Sequence, residues 1–312
     1  MSPFKPERPE ISILVLSWNT RALTLSCLDS LSRHSPRCPF EVLVVDNASE
    51  DGSADEIAIQ RPEVRLIRED ENTGYAAGNN KLARLARGDY LCLLNSDTEV
   101  RPGSLDSLRD FLAERPDYAC AAPRLVGPDG TVQKACMRFP TIATALVYDM
   151  WYRRLPLLRR IEDRYYMRDF DHLHDQDVEQ PPGTCLMIRR DVWRELGGMD
   201  ERLWLFFNDV DLCRRVRDRG FRVRYLAGPE VLHHGGESTG LFGSMVEEWA
   251  RNRLEYYRKH YGRPGHALLR IMIRLRAWQE WWSLGRRHHN PVHRRDARAE
   301  LKRVVGKVLA GR

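Results

Sequence analysis

Phe40-Glu41-Val42-Leu43-Val44-Val45-Asp46 runs directly into Asn47-Ala48-Ser49-Glu50-Asp51-Gly52-Ser53, an apolar, branched segment against a small, polar one. The first has the length and composition of a strand buried on both faces, and the second those of a loop leading into a helix. The same alternation extends to either side. Upstream, Ile11-Ser12-Ile13-Leu14-Val15-Leu16 reads as a strand. Ser17-Trp18-Asn19-Thr20 then supplies N-cap candidates for a helix ending near Arg33. Downstream, Val64 to Ile67 reads as a strand, Tyr75 to Ala86 as a helix and Tyr90 to Leu94 as a fourth strand. Four strands separated by helices predict an α/β fold with a mainly parallel, doubly wound sheet flanked by helices. Such sheets bind ligands beyond the carboxyl ends of their strands, where this chain places Ser17-Trp18-Asn19, Asp46-Asn47 and Asn95-Ser96-Asp97.

Beyond Pro102 the pattern predicts a helix to about Glu114 and a strand near Tyr118 to Ala122, with Asp129-Gly130 suited to a hairpin turn. Tyr148 to Gln180 is charged and aromatic without periodicity. A second ordered block opens with a strand from Gly183 to Ile188, a helix from Asp191 and a break at Gly197-Gly198. Asp209 to Arg219 reads as helix, Phe221 to Tyr225 as strand, His233 to Ser238 as a polar loop, and the chain after Glu247 as mostly helical.

The 312 residues, 42% hydrophobic and 30% charged, are enough to bury a real core and exclude a disordered chain. No window approaches the roughly 20 apolar residues of a spanning helix. The opening MSPFKPERPE lacks the apolar run of a secretory signal, which points to the cytoplasm. Seven scattered cysteines, none spaced as CxxC, indicate buried thiols rather than a disulfide framework or zinc ribbon. The net charge of +6 conceals a division: from Arg251 onward 17 basic residues face 4 acidic ones, so the first 250 residues are acidic. A basic tail on an acidic body suits an anionic surface.

The first strand-helix turn has no GxGxxG and carries Trp18 where backbone would have to approach a pyrophosphate, which speaks against a dinucleotide site, and the absence of GxxxxGK(S/T) excludes a P-loop. Asp46 stands where a ribose or base edge would be met, or it caps the following helix. Asp97 and Glu99, two residues apart after a buried strand, gather hard oxygen ligands of the kind that suit Mg²⁺ or Mn²⁺ on a diphosphate; a plain turn before Pro102 would read the same. Asn208-Asp209 opens a helix behind Trp204-Leu205-Phe206-Phe207. An acid there complements the helix dipole, and one beside aromatics also acquires the pKa of a general base.

Taken in order, VLSWNT (Val15 to Thr20), VVDNASEDGS (Val44 to Ser53), ENTGYAAGNN (Glu71 to Asn80), LLNSDTEV (Leu93 to Val100), the run from Gly183 to Val223, and HHGGES (His233 to Ser238) resemble the family 2 glycosyltransferases of the GT-A fold, rhamnosyltransferase-like branch. The resemblance covers about three quarters of the chain. It implies a metal-dependent inverting transferase that moves a sugar from dTDP-rhamnose or a UDP-sugar to a hydroxyl of a saccharide or lipid-linked saccharide, in cell-surface polysaccharide synthesis. It assigns donor binding to Ser17, Asn19, Asp46, Asn72, Gly74, Gly78, Asn79 and Asn95, with helix amides after Asn72 free for phosphate. It assigns Mg²⁺ or Mn²⁺ to Asp97, Glu99 and His234, and the general base to Asp209. Glu99 replaces a second Asp, and Asn208 replaces the Glu of a usual Glu-Asp pair, a loss expected to lower the base's pKa. Residues 1–250 are read as the GT-A domain, with a nucleotide-binding half at about 10–120 and an acceptor half at about 121–250. Residues 251–312 are read as a basic helical extension.

In that extension, Trp278, Trp281 and Trp282 alternate with Arg274 and Arg276, which suits a membrane headgroup region at the inner face of the cell membrane as well as a helix packed on the body. His288, His289 and His293 read as a solvated basic segment. Two other classes fit parts of the sequence: a non-catalytic sugar-nucleotide binder, given Asn208 and Glu99, and a nucleic-acid binder acting through the tail. The acidic body and the absence of a recognised binding module speak against the latter.

Overall fold

A computed structural model of the chain describes residues 8–148, 150–235, 245–287 and 291–310. Gly236 to Ser238 of the late polar motif, and His288 and His289, lie outside these residues.

The branched apolar runs form strands where expected: β1 Ile11–Ser17, β2 Phe40–Asp46, β3 Arg65–Arg68 and β4 Tyr90–Asn95. They pair in parallel in the order β3-β2-β1-β4, with Ser17 opposite Asp46 and Leu16 opposite Asn95, so the polar strand ends lie side by side. Parallel strands need crossovers, supplied by helices α1 Arg21–Arg33, α2 Ser53–Gln60 and α3 Gly74–Leu85. Ile11, Ile13 and Val15 pack in one core with Cys27, Leu28 and Leu31 of α1 and with Leu105, Leu108 and Leu112 of α4, Ser104–Glu114. On the other face a Cβ at Gly78 of α3 would lie 2.4 Å from Cδ1 of Leu16.

The remaining strands are β5 Thr98–Val100, β6 Tyr118–Val126, β7 Gln176–Asp177, β8 Cys185–Arg189 and β9 Arg222–His233. They extend the order to β4-β8-β6-β9-β5, with β7 also on β9. Here the expectation of a mainly parallel sheet needs correcting. β8 enters antiparallel to both β4 and β6, and β9 is antiparallel to β5 and β7, so the sheet is parallel in its N-terminal half and mixed as a whole. Two local readings change with it. Thr98-Glu99-Val100 is a strand that pairs with β9, and His233 ends β9 rather than opening a loop. The Asp129-Gly130 turn does reverse the chain, with Gly130 at φ +79° and Val126 bridged to Val132.

Residues 142–165 hold α5 Ile142–Val147, a short 3-10 helix Trp151–Arg154 and α6 Pro156–Tyr165; α7 Arg190–Leu196 and α8 Asn208–Asp218 follow in the second block. Met245–Arg287 (α9) is broken at Gly262, where φ is +64° and ψ is −162°, and α10 spans Pro291–Ala310. The backbone divides into two compact units: one, Met1–Met137, Phe170–Trp204 and Asn208–Phe242, holds the sheet, and the described elements of the other, Arg138–Asp169, Leu205–Phe207 and Gly243–Arg312, are helices. The division therefore does not follow a cut at residue 250, because residues 138–169 go with the C-terminal helices. All seven cysteines are buried and free.

Candidate active site

At the end of β2, Asp46 is buried. Its Oδ2 accepts from Ser49 N (3.0 Å), while its Oδ1 is buried with no hydrogen-bond partner among the described residues. An orphaned carboxylate oxygen at the binding edge of a sheet is a place for a ligand hydroxyl or N–H. Asn19, in the left-handed region at φ +51° that Asn tolerates, accepts from Glu50 N (2.7 Å) and donates its own N–H to Ser49 Oγ (2.9 Å), tying the β1 loop to the β2 loop. Ser17 points its hydroxyl at Thr24 Oγ1 of α1 (2.8 Å), so its side chain serves the strand-helix joint.

Asn47, placed by the sequence at the mouth of β2 but given no role there, is the hub of this corner. Its Nδ2 donates to Asn72 Oδ1 (2.6 Å) and its Oδ1 accepts from Thr73 N (3.0 Å) and Thr73 Oγ1 (3.1 Å). Asn72 Oδ1 also accepts from Gly74 N at 3.0 Å. The expected free amides at the start of α3 are absent: Tyr75 N and Ala76 N both donate to Trp204 O, at 2.7 and 3.3 Å. The backbone of Trp204 therefore occupies the place proposed for phosphate. Gly74 sits at φ +85° under that residue's ring, and Asn79 is buried, bonding back to Tyr75 O within its own helix (2.9 Å). Gly78 and Asn79 thus serve the packing of α3, not an open surface.

At the end of β4, Asn95 Oδ1 is buried without a hydrogen-bond partner among the described residues, and the turn after it carries Asp97, also buried. Thr98 and Glu99 then enter β5, whose register on β9 decides which histidine meets which acid. His233 Nε2 lies 3.5 Å from Asp97 Oδ2, and His234 Nε2 lies 3.3 Å from Glu99 Oε1. Glu99 also accepts from Ser26 Oγ (2.9 Å) and pairs with Arg33 (3.7 Å). Burial pushes the Glu99 carboxyl upward, but Ser26, His234 and Arg33 outweigh it and hold the group below its ordinary range. The expected trio of Asp97, Glu99 and His234 thus separates into two pairs.

Gln133 fixes the state of His233. Its Nε2 donates to His233 O (2.9 Å), so its Oε1 is left to accept from His233 Nδ1 (2.8 Å). A proton therefore sits on Nδ1, and Nε2 is the ring nitrogen on the Asp97 side. Two bonds of about 2.1 Å to one cation span up to about 4.2 Å, so a separation of 3.5 Å lets both groups reach the same ion. Among the described residues no three His, Cys, Asp or Glu side chains converge as a closed cage. One carboxylate and one imidazole with positions left over suit a cation that also takes ligand phosphates.

Asp209, second residue of α8, completes the edge. Its Oδ2 accepts from Gly183 N (3.0 Å) and its Oδ1 from Val210 N (2.8 Å). Tyr75 Oη donates to Gly183 O (2.8 Å), and a Cβ at Gly183 would lie 3.2 Å from that of Asp209. The neighbouring Thr184 O accepts from Asn95 N (2.9 Å), two residues before Asp97. The two acids, far apart in sequence, are therefore joined through a short bridge across β4 and β8. Burial raises the Asp209 carboxyl above its ordinary value, and the amides of Gly183 and Val210 offset this only in part. The direction is set by burial, and Asn208 is not among its causes. Asn208 is buried and turned to Leu203 O (3.2 Å), while Asp211 is buried against Arg215 (2.7 Å).

The sequence reading gave no role to Gln133, Asn47 or Gly183, and took His234 where His233 faces Asp97. Alternation along a strand continued through Val231 and His233 offered a signal for the histidine; nothing local announces Gln133, 100 residues away in sequence.

This fold and site define a glycosyltransferase of the GT-A type. Two solved structures share the fold: GalNAc-T7 with UDP, GalNAc and Mn²⁺ (TM-score 0.56, 15% identity, 82% of this chain and 49% of that one), and a mannosyltransferase of Pyrobaculum calidifontis with GDP-Man and Mn²⁺ (TM-score 0.54, 16% identity, 99% and 88%). The chain belongs to glycosyl transferase family 2, whose pattern matches residues 12–197. It is rhamnosyltransferase-like: it is 32% identical over 225 residues, 68% of this chain and 72% of the relative, to the N-acetylglucosaminyl-diphospho-decaprenol L-rhamnosyltransferase of Mycobacterium tuberculosis.

Proposed function

We propose that the protein is an inverting transferase that moves a deoxyhexose, L-rhamnose from its dTDP donor ahead of a UDP-sugar, to a hydroxyl of a lipid-linked diphosphate saccharide. The observation that carries this reading is the placement of Asp209. A carboxylate with a raised pKa accepts from Gly183 N, and the next residue, Thr184, bonds Asn95 at the end of the strand that leads to Asp97. The relative's name supplies the sugar and the acceptor class.

Asp46, whose buried Oδ1 has no partner among the described residues, receives the nucleoside of the donor, and Asn95 a further donor hydroxyl or N–H. Asp97 and His233 would hold a divalent cation, Mg²⁺ or Mn²⁺, which when bound would neutralise charge on the departing diphosphate. Asp209 takes the proton of the acceptor hydroxyl as that oxygen bonds to the anomeric carbon from the face opposite the diphosphate. The carbon–oxygen bond to the diphosphate breaks, and the configuration inverts. The leaving group needs no proton, so one carboxylate base suffices where a hydrolase needs an acid as well. In this reading Glu99 and His234 brace β5 against α1 rather than ligate.

The test is a thermal-shift panel of dTDP-rhamnose and common UDP-sugars with and without Mn²⁺, followed by turnover on a prenyl-diphosphate N-acetylglucosamine acceptor. Metal-dependent stabilisation by one donor and loss of turnover in Asp209→Ala are expected. Donor binding with no turnover on any acceptor, unchanged in Asp209→Asn, would instead identify a non-catalytic sugar-nucleotide binder.

A further inference from the structure

The helical unit holds a feature that transfer chemistry does not use. Helices α9 and α10 run antiparallel, as Arg270 bonding Leu309 O (2.8 Å) and Arg298 bonding Trp281 O (3.2 Å) show. The seam between them is not closed by side chains. Three cavities follow one another along it, of about 300, 460 and 440 Å³. The first lies among Leu269, Met272, Val304 and Val308; it shares Ala277, Leu301 and Val305 with the second, which adds Trp278. The second shares Trp281 and Lys302 with the third, which adds Arg294, Arg295 and Arg298. No carboxylate lines this last cavity among the described residues.

Arg253, Arg276 and Glu280 also line the first cavity and Arg274 the second, so the seam is mainly, not wholly, apolar through two cavities, and it is cationic at one end. Arg298 and Lys302 stand over the ring of Trp281, at 4.6 and 4.9 Å, which fixes two positive charges where the apolar part stops. Gly306 on the wall of the second cavity is a helix-interior glycine whose added Cβ would meet nothing within 4 Å, so the space does not come from close helix contact. Each cavity lies in the range of ligand pockets, about 300–1,000 Å³. A long slot of this kind matches a molecule with a flexible apolar chain and a compact anionic head, the chain gaining from burial and the head from paired cations.

We propose that the α9–α10 seam binds the prenyl chain of a lipid-linked acceptor, with Arg298 and Lys302 on its diphosphate. The proposal rests on the reading that the acceptor is a lipid-linked diphosphate saccharide, and it places recognition of the lipid in the helical unit. Twelve of the fourteen exposed large hydrophobic residues among those described also lie in this unit, Trp278 and Trp282 among them, which suits a surface that draws its ligand from a bilayer.

Calorimetric titration of the full chain with geranylgeranyl diphosphate in EDTA tests it, with inorganic diphosphate and geranylgeraniol as separate titrants. Saturable binding is expected, at least tenfold tighter than either fragment alone. It is expected to fall at least tenfold in Val305→Trp, which fills the seam, and in the Arg298→Ala, Lys302→Ala double variant, which leaves the apolar part intact, while Asp97→Ala retains it. Equal binding of inorganic diphosphate overturns the proposal, as does loss in Asp97→Ala with retention in the seam variants, which would locate the lipid at the donor site. Adsorption to anionic vesicles unchanged by Val305→Trp, without binding of the dispersed lipid, overturns it in favour of a bilayer surface. Donor stabilisation measured on the same preparations keeps the two readings apart. A chain that binds donor but no prenyl diphosphate refutes only the seam, and one that binds both yet transfers nothing refutes only the transferase reading.

Discussion

Gln133 grips His233 from both sides of its amide, accepting from the ring Nδ1 at 2.8 Å and donating to the backbone oxygen at 2.9 Å. A single side chain thereby fixes both the Nδ1 proton of the imidazole and the position of the strand that carries it. An outer partner of this kind orients a metal-binding histidine.

Gln133→Ala is expected to weaken Mn²⁺ binding in the presence of dTDP or UDP by about 10–100-fold, as loss of such partners does elsewhere. Gln133→Glu keeps the acceptor for Nδ1–H and should recover part of the loss. Electron paramagnetic resonance titration of free Mn²⁺ reads both, and an unchanged affinity in the alanine variant refutes the role.

His233→Ala and His234→Ala discriminate between the neighbours. The first should lose nucleotide-dependent Mn²⁺ binding by more than tenfold. The second should leave it within about twofold, because its ring meets Glu99 and not Asp97. Equal losses in the two variants would restore His234 to the metal.

The raised pKa of Asp209 has two consequences with a definite sign. Its ionisation costs stability, because the folded state holds the proton more tightly than the unfolded chain; the cost is absent below the unfolded value near 3.9 and develops as pH rises through the higher folded value. Asp209→Asn should thus gain in Tm relative to the parent between pH 4 and pH 7.5. The acid limb of kcat/KM should lie above the ordinary carboxylate range. A limb at or below pH 4 argues against Asp209 as the base.

Gly74→Ala should be more damaging than Gly103→Ala. Both glycines have positive φ, +85° and +71°, but a Cβ at Gly74 would fall 2.4 Å from the Trp204 ring while one at Gly103 meets nothing within 4 Å. The Gly103 variant should lose about 1 kcal/mol from backbone conformation alone. The Gly74 variant should lose more, since the Trp204 ring lies against Gly74 and its carbonyl caps α3. Equal denaturation midpoints would show that the ring moves freely aside.

The N-terminal half of the sheet was legible in the chain, because Ile11 to Leu16, Phe40 to Asp46 and Tyr90 to Leu94 are buried on both faces and so carry unbroken apolar runs that end in polar residues. The acids Asp46, Asp97 and Asp209 were legible for the same reason, each at the mouth of a strand or the start of a helix. The antiparallel entry of β8 was not, since a buried run reads the same in either direction. Nor was the taking of the α3 amides by Trp204 O, a backbone contact that no side chain encodes.

Sequence alone determined the class of fold and the three acids on which the chemistry is placed, because burial and strand ends leave a local pattern. Only the tertiary structure decided which histidine faces Asp97, that Gln133 holds it, and that α9 and α10 leave a slot between them. Each of these depends on register or packing between distant segments, and a one-residue difference in the pairing of β5 with β9 would exchange His233 for His234 without altering any local pattern.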